Sequence, residues 1–172
     1  MTDREIKYYI TTDTHFNHDM LWKEGYRPKG YEALIIKRHH QVLSDSGWIL
    51  IHLGDVALGG YDDLKFDLDY IRCRKVLVRG NHDGKSKSWY LRNGFDFVCD
   101  SFILNGILFT HEPQDSSGGC VLNVHGHIHD RNHGGLNLQE FHRPLILEEQ
   151  NYYPIELNKF LRRNKINEEK KD

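Results

Sequence analysis

The chain has 172 residues, a length that suits one domain with its own hydrophobic core. Its 23 basic and 25 acidic residues leave a formal net charge of -2, which argues against nucleic-acid binding driven by bulk positive charge. The 3 cysteines lie far apart and no apolar signal or membrane-spanning run is visible, so we expect a cytoplasmic protein without a disulfide framework.

The first half of the chain alternates predicted strands and helices. Short apolar runs rich in branched and aromatic residues predict strands at 6–12, 48–53 and 75–78. Between them, apolar residues recur at helical spacing over 31–43 and 61–71. This β-α-β-α-β order predicts a parallel sheet with helices packed on its faces.

The second half is richer in predicted strands. They are expected at 95–99, 102–104, 107–110, 121–124, 144–147 and 152–157. Asn105-Gly106 is typical of a two-residue hairpin turn, and a short helix is expected at 158–163. We therefore expect a single domain over 1–163, followed by a polar and disordered tail at 164–172.

Five polar motifs each follow a predicted strand. They are Asp13-Thr14-His15, Gly54-Asp55, Gly80-Asn81-His82-Asp83, Thr110-His111 and Gly126-His127-Ile128-His129. The carboxyl ends of parallel strands meet at one edge of a sheet, so these side chains can converge there. In extended backbone, residues i and i+2 point to the same side, so Asp13 with His15, and His127 with His129, can each clasp one ion. This set of O and N ligands suits a pair of divalent ions with a phosphate between them.

In this order the five motifs resemble those of the calcineurin-like metallophosphoesterase superfamily, in a small bacterial or phage-encoded form. The resemblance implies an α/β fold with α+β character, in which a β-sandwich is flanked by helices. It places a metal site at the C-terminal ends of the strands. It also implies a cofactor of two divalent metal ions, with Mn²⁺ expected and Fe, Zn, Ni, Co or Mg as alternatives.

The resemblance further assigns a role to each motif residue. Seven residues would be ligands, three for each ion and one bridging both, in the order Asp13, His15 and His129; Asn81, His111 and His127; and Asp55. His82 would face the phosphate and stabilise or protonate the leaving oxygen. Asp83 would orient the ring of His82.

Charge and acidity agree with this assignment. Two divalent ions bring four positive charges, and the carboxylates of Asp13 and Asp55 offset only two of them. The site therefore suits an anionic phosphoester, and a metal can lower the pKa of a bound water from about 15.7 to about 7. Histidine has an unperturbed pKa of about 6.5, so this residue type at position 82 suits general-acid catalysis near neutral pH. We expect in-line attack by a metal-bridging hydroxide, with His82 assisting departure of the leaving group.

Residues beside the motifs are candidates for substrate contact or for ligand support. The candidate substrate contacts are Asn17, His18, Arg27 and Arg79. For Arg27 a solvated surface position is the favoured alternative. His52 and His125 could instead orient ligand imidazoles. The small chain predicts an open metal rim and a small phosphoester substrate, either a diester or a monoester, such as a nucleotide or a cyclic nucleotide.

Other classes of function remain open on the sequence. A metal-dependent nuclease, or nuclease subunit, acting on nucleic-acid ends is the main alternative, although the mild acidity does not favour nucleic acid. A catalytically silent binding or scaffold module would have lost ligands, yet none is missing from the pattern. A mononuclear metal-binding protein is a further alternative. A homodimer is compatible with the sequence, and a membrane partner is not expected.

Overall fold

The computed structural model describes residues 6–59, 71–129 and 138–164 of the chain. The predicted helix at 61–71 lies outside these ranges except for Ile71, and the predicted tail lies outside them except for Asn164. Across the described ranges the strands form two sheets with helices beside them, which confirms the mixed α/β sandwich. None of the helices in these ranges has the length and apolar character needed to cross a membrane.

The first sheet contains the three predicted strands of the first half. Its strands are β1 (Tyr8–Thr11), β2 (Ile49–His52), β3 (Arg74–Val78), β4 (Phe97–Cys99) and β9 (Ile155–Glu156). They lie in the order β4-β3-β2-β1-β9, and β9 alone among them runs antiparallel to its neighbour. The predicted parallel core is therefore confirmed, and its carboxyl ends form one edge.

The second sheet begins with the predicted hairpin. Its strands are β5 (Phe102–Leu104), β6 (Ile107–Thr110), β7 (Leu122–His125) and β8 (His142–Pro144). They lie in the order β5-β6-β7-β8, with β6, β7 and β8 parallel to one another. Asn105 and Gly106 both have positive φ, 51° and 74°, as the tight turn between β5 and β6 requires.

Four helices lie within the described ranges: α1 (Met20–Lys23), α2 (Tyr31–Val42), α3 (Lys87–Arg92) and α4 (Leu157–Arg163). α2 and α4 match the predicted helices closely. α3 was not predicted, although Ser86 is a good N-cap residue, and its hydroxyl accepts a hydrogen bond from the Trp89 amide.

The predicted strand at 144–147 is wrong, because β8 ends where that run begins. Leu145, Ile146 and Leu147 are nevertheless at most 2% exposed. The carbonyls of Ile146 and Leu147 accept hydrogen bonds from the Gln150 amide in a turn rather than from a neighbouring strand. The apolar run therefore reflects burial of a turn, which periodicity does not distinguish from a short buried strand.

Both faces of the first sheet are buried. Tyr9 and Leu50 pack with the helix α2 residue Ile35 on one face, whereas Ile10 and Ile51 belong to the core between the two sheets. Strands covered on both faces consist of nearly continuous apolar runs, which explains the patterns that predicted β1 and β2. The sandwich leaves its polar strand ends free to form a site.

Candidate metal centre

The five motifs converge at the carboxyl ends of the strands. They follow β1, β2, β3, β6 and β7 in turn. Two clusters result: Asp13, His15 and His129 lie together, and Asp55, His111 and His127 lie together. The sequence-predicted metal ligands are therefore neighbours in space although they come from distant parts of the chain.

Several ligands occupy a backbone conformation that non-glycine residues avoid. Asp13, His15, Asp55 and His127 have φ values of 50°, 47°, 56° and 67°. Such left-handed residues cost about 1–3 kcal/mol each and concentrate at functional sites. The loops after β1 and β2 hold each other in place, since the Asp13 amide donates to the Gly54 carbonyl and the His15 amide to the Asp55 carbonyl, at 2.9 and 3.0 Å.

The first ligand group consists of Asp13, His15 and His129. The Nε2 atoms of the two histidines are 3.2 Å apart, and each lies 3.8 Å from Asp13 Oδ1. Asp13 Oδ2 accepts hydrogen bonds from the Thr12 hydroxyl at 2.5 Å and from the His127 amide at 3.0 Å. These bonds turn Oδ1 of Asp13 toward the two imidazoles.

The second ligand group consists of Asn81, His111 and His127. Asn81 Oδ1 lies 2.9 Å from His111 Nε2 and 3.2 Å from His127 Nδ1, and the two nitrogens are 3.2 Å apart. His111 Nδ1 lies 2.7 Å from the Leu53 carbonyl, which fixes the tautomer that leaves Nε2 free for a metal. His127, in contrast, presents Nδ1 to the group.

Asp55 lies between the two groups. Its Oδ2 atom is 3.3 Å from His111 Nε2 in the second group and 3.7 Å from His15 Nε2 in the first. Its Oδ1 atom accepts a hydrogen bond from the His82 amide at 2.9 Å. One carboxylate oxygen therefore faces both groups, the position expected of a bridging ligand.

The donor atoms fit divalent metal ions. Ligand atoms that share an ion at about 2.1 Å lie roughly 3–4 Å from one another, as these do. Asp13 Oδ1 is buried and has no hydrogen-bond partner among the described residues. An isolated buried carboxylate oxygen is costly, and a cation would remove that cost. Imidazole, carboxylate and amide donors admit several first-row metals without selecting one.

Burial and the neighbouring charges shift the pKa values of the site residues in different directions. Burial alone would raise the pKa of Asp55, but the hydrogen bond and charge of His111 lower that pKa to about 2. Burial alone would lower the pKa of His111, but the carboxylates of Asp55 and Asp13 raise it to about 9. His15 is dominated by burial, which lowers its pKa to about 3.

We expect metal binding to the second group to compete with a proton on His111. Because the pKa of this imidazole is raised from 6.5 to about 9, a metal must displace its proton at neutral pH. The apparent Mn²⁺ affinity should therefore increase with pH and level off above about pH 9, with proton release below that point. Calorimetric titration of metal-stripped protein, in buffers that differ in ionisation enthalpy, measures both quantities. An affinity that is constant between neutral pH and pH 9 would contradict this expectation.

His82 lies at the solvent side of the ligands. Its side chain is 44% exposed, and its Nε2 is 4.0 Å from Asp55 Oδ2. The ring centroids of His82 and His15 are 5.6 Å apart. His82 belongs to neither ligand group. The exposed ring can therefore contact a molecule bound beside the two ligand groups.

Asp83 contacts backbone and a tyrosine. Its Oδ2 accepts hydrogen bonds from the amides of Asp55 and Gly80, at 2.8 and 2.7 Å. Its Oδ1 accepts from the Val56 amide at 3.0 Å and from the Tyr90 hydroxyl at 3.3 Å. Asp83 therefore braces the loops after β2 and β3, which differs from the predicted role of orienting the His82 ring.

The loops after β2 and β3 approach so closely that Gly80 has no room for a side chain. A Cβ atom there would lie 2.1 Å from Asp55 Oδ1 and 2.6 Å from the Asp55 amide nitrogen. We expect Gly80→Ala to displace Asp55 and to weaken binding of both ions by about 10–100-fold, the range seen when groups that orient ligands are removed. Gly84→Ala is a matched control, since a Cβ at Gly84 meets nothing within 4 Å. Equal Mn²⁺ affinity for the two variants would show that this close approach is unimportant.

The candidate substrate contacts lie at different distances from the ligands. The rings of His18 and His15 have centroids 5.6 Å apart, and His18 is half-buried. The amide of the neighbouring Asn17 donates to Glu32. Arg79 forms an ion pair with Asp100 at 2.7 Å. Substrate contacts by these three residues stay predictions.

Arg27 is not the solvated surface residue that the sequence suggested. It is 3% exposed, and its guanidinium donates to the carbonyls of Asp13 and Thr14 and to Glu148. These acceptors occupy the guanidinium, so we assign it a supporting role in place of the predicted phosphate contact. The sequence does not show that Arg27 is buried, because two of its acceptors are backbone carbonyls, which every residue carries.

His52 and His125 support ligand loops through backbone and hydroxyl contacts rather than through ligand rings. His52 accepts from the Gly54 amide and lies 3.0 Å from the Thr14 hydroxyl. His125 Nδ1 lies 2.9 Å from the Gly126 carbonyl. The expectation that each would orient an imidazole is therefore wrong, because each ring contacts the backbone of the loop that follows its own strand.

Sequence reasoning missed Glu148. Its Oε1 lies 3.5 Å from Nδ1 of the ligand His129. A weak signal was available, since a charged residue directly follows the buried run that ends at Leu147. The apolar run at 144–147 is typical of a strand, and nothing in its pattern indicates that the next residue faces His129.

The chain resembles known proteins in sequence and in fold. A sequence model of a family described as calcineurin-like phosphoesterase matches residues 6–172. An uncharacterized protein of Methanocaldococcus jannaschii, MJ1445, is 29% identical over 170 residues, which cover 88% of each chain. The crystal structure of AQ665, a protein of unknown function from Aquifex aeolicus, has a TM-score of 0.73 and 25% identity, covering 92% of this chain and 99% of that chain. The nuclease MPE of Pseudomonas putida has a TM-score of 0.48 and 22% identity, over 71% of this chain and 61% of its own.

Proposed function

Because the chain belongs to the calcineurin-like phosphoesterase family, we propose that it hydrolyses a phosphoester with two divalent metal ions held by the two ligand groups. The observation that carries the proposal is the position of Asp55. Its Oδ2 faces His111 at 3.3 Å and His15 at 3.7 Å, so one carboxylate can serve both groups. A mononuclear site would need only one of these groups.

The ligand charges favour an anionic substrate. Two divalent ions carry four positive charges, and Asp13 and Asp55 are the two carboxylates among the ligands of both groups, so the occupied site remains positive. When bound, such ions supply an activated water as nucleophile and stabilise charge on the phosphoryl oxygens. The seven ligands, four imidazoles, one amide and two carboxylates, all lie in the segments that directly follow strands of the two sheets.

His82 is the candidate for proton transfer. It lies on the solvent side of Asp55. Its backbone amide donates a hydrogen bond to Asp55 Oδ1, which fixes the distance of His82 from the ligands. Asp83 stabilises the same loop, because its Oδ2 accepts a hydrogen bond from the Gly80 amide. We assign His82 the role of donating a proton to the leaving oxygen, a role that an exposed imidazole can fill near neutral pH.

We further propose a small phosphodiester or phosphomonoester as substrate, with nucleotides and cyclic nucleotides as the first candidates. Support comes from the outer edge of the site, where the side chains of His82 and His129 are 44% and 35% exposed. The formal net charge of -2 provides no general attraction for a polyanion. A small ester can reach such an edge without an extended basic groove.

Hydrolysis of model esters tests this proposal. The protein, loaded with Mn²⁺ or with Fe²⁺, Co²⁺, Ni²⁺, Zn²⁺ or Mg²⁺, is assayed with bis-p-nitrophenyl phosphate, p-nitrophenyl phosphate and a set of cyclic nucleotides. We expect turnover that saturates as the second equivalent of metal binds and that stops on chelation. Absence of turnover on every ester by protein that carries two ions would refute the proposal.

Competition by oligonucleotides tests the size of the substrate. Single-stranded oligonucleotides are added to the diester assay at moderate salt, where non-specific electrostatic binding is weak. We expect little inhibition. Strong inhibition, together with shortening of the oligonucleotide, would identify nucleic-acid ends as the substrate and would overturn the small-ester proposal.

A further inference from the structure

Glu148 connects the first ligand group to a buried arginine. Its Oε1 accepts a hydrogen bond from Arg27 Nε at 2.8 Å and lies 2.7 Å from Arg27 Nη2 in the same ion pair. The same oxygen lies 3.5 Å from His129 Nδ1. Oε2 of Glu148 is buried and has no hydrogen-bond partner among the described residues. The carboxylate is thus directed inward, at the back of a metal ligand.

Arg27 carries this connection to the other side of the same group. Nη2 donates to the Asp13 carbonyl at 2.7 Å, and Nη1 donates to the Thr14 carbonyl at 3.0 Å. The guanidinium carbon also lies 5.1 Å from the ring centroid of Tyr31, whose hydroxyl donates to the His15 carbonyl. The backbone of the loop after β1 is therefore held at three successive carbonyls.

We propose that Glu148 and Arg27 form a positioning pair for the first ligand group, an inference that rests on the proposed metal centre. Glu148 accepts a hydrogen bond from Nδ1–H of His129, which selects the tautomer that presents Nε2 to an ion. Arg27 holds Asp13 in its left-handed conformation, with a φ of 50°, so that Oδ1 meets the same ion. Both residues act through ligands and neither contacts the substrate.

The two groups differ in this support. In the second group, His111 Nδ1 contacts the Leu53 carbonyl at 2.7 Å, an acceptor that belongs to the main chain. In the first group the equivalent acceptor for His129 is a side chain, Glu148. Substitution of Glu148 should therefore weaken one ion and leave the other in place. A role confined to general stability would affect both ions alike.

Metal titrations of Glu148→Ala and Glu148→Gln test the inference. For Glu148→Ala we expect the affinity for one Mn²⁺ ion to fall by about 10–100-fold while the other affinity stays at the wild-type value. The electron paramagnetic resonance spectrum should then change from that of a coupled Mn pair to that of isolated Mn²⁺. Glu148→Gln keeps an acceptor oxygen and should restore part of the lost affinity. If Glu148→Ala does not fold, Glu148→Gln decides the question by a partial, selective loss of one ion.

Asp100→Asn is the matched control, because Asp100 also pairs with an arginine at 2.7 Å but lies on the surface, 60% exposed. It should bind both ions as the wild type does. Wild-type affinities for both ions in the Glu148 variants, or an equal loss of both, would overturn the positioning role. These outcomes are distinct from failure of the proposed function, which would appear in the wild-type protein as absence of a second ion or of ester hydrolysis.

Discussion

Replacing His82 with alanine is expected to lower kcat of the metal-loaded protein by about 10²–10⁴-fold, the usual contribution of a positioned proton donor. Metal content should not change, because His82 lies outside both ligand groups and its link to Asp55 Oδ1 uses the backbone amide, which alanine retains. The measurement is kcat at matched Mn²⁺ occupancy. A large effect with both ions in place would separate catalysis from metal binding.

The leaving group gives this prediction a second readout. A poor leaving group needs the proton of His82 more than p-nitrophenolate does, so the loss in His82→Ala should be greater for an alkyl or nucleoside ester. His40→Ala is the control, since His40 is an exposed histidine on α2. Equal kcat for His82→Ala and wild type on both kinds of ester would contradict the proton-donor role.

Replacing Asp55 with asparagine is expected to weaken the binding of both ions and to reduce hydrolysis to background. Asparagine keeps the size of the side chain but removes its negative charge. In the wild type that charge lies partly on Oδ2, the oxygen that faces both His111 and His15. Loss of a shared ligand should cost each ion at least the factor of about 10–100 that follows loss of a supporting contact. Stoichiometry and affinity are measured by metal analysis after Mn²⁺ loading and by calorimetry.

Asp45→Asn controls for the loss of one carboxylate. Asp45 accepts a hydrogen bond from the Gly47 amide before β2, at the end of the strand opposite the metal rim. It should retain two ions and full activity. If Asp55→Asn loses only one ion and keeps the other at wild-type affinity, Asp55 serves one group and does not bridge them.

The sequence predicted which polar side chains converge, because their signals are local. Asp13 follows β1 and His127 follows β7, and each strand is recognisable from its apolar run. Convergence of the motifs then follows from parallel pairing, a general property of such sheets. The bridging role of Asp55 came from the family resemblance, because the spacing of the motifs does not indicate which ligand is shared.

Predictions failed where a residue's partner lies far away in sequence. Arg27 meets Glu148, which is 121 positions away, and no periodicity links the two. Asp83 bonds to the amides of Asp55 and Val56 on another loop, so its neighbour His82 was a misleading guide to its contacts. The run at 144–147 is apolar because it is buried, as a core strand would be. Its carbonyl hydrogen bonds to Gln150 distinguish this turn from a strand.

Anomalous diffraction from crystals grown with Mn²⁺ tests the central claim, a two-metal centre, most directly. We predict two peaks about 3.5–4 Å apart, the usual spacing of catalytic metal pairs. One peak should contact Nε2 of His15 and of His129, the other Nε2 of His111 and Nδ1 of His127, and Asp55 Oδ2 should contact both. A single peak at full Mn²⁺ occupancy, or two peaks that Asp55 does not join, would contradict the account.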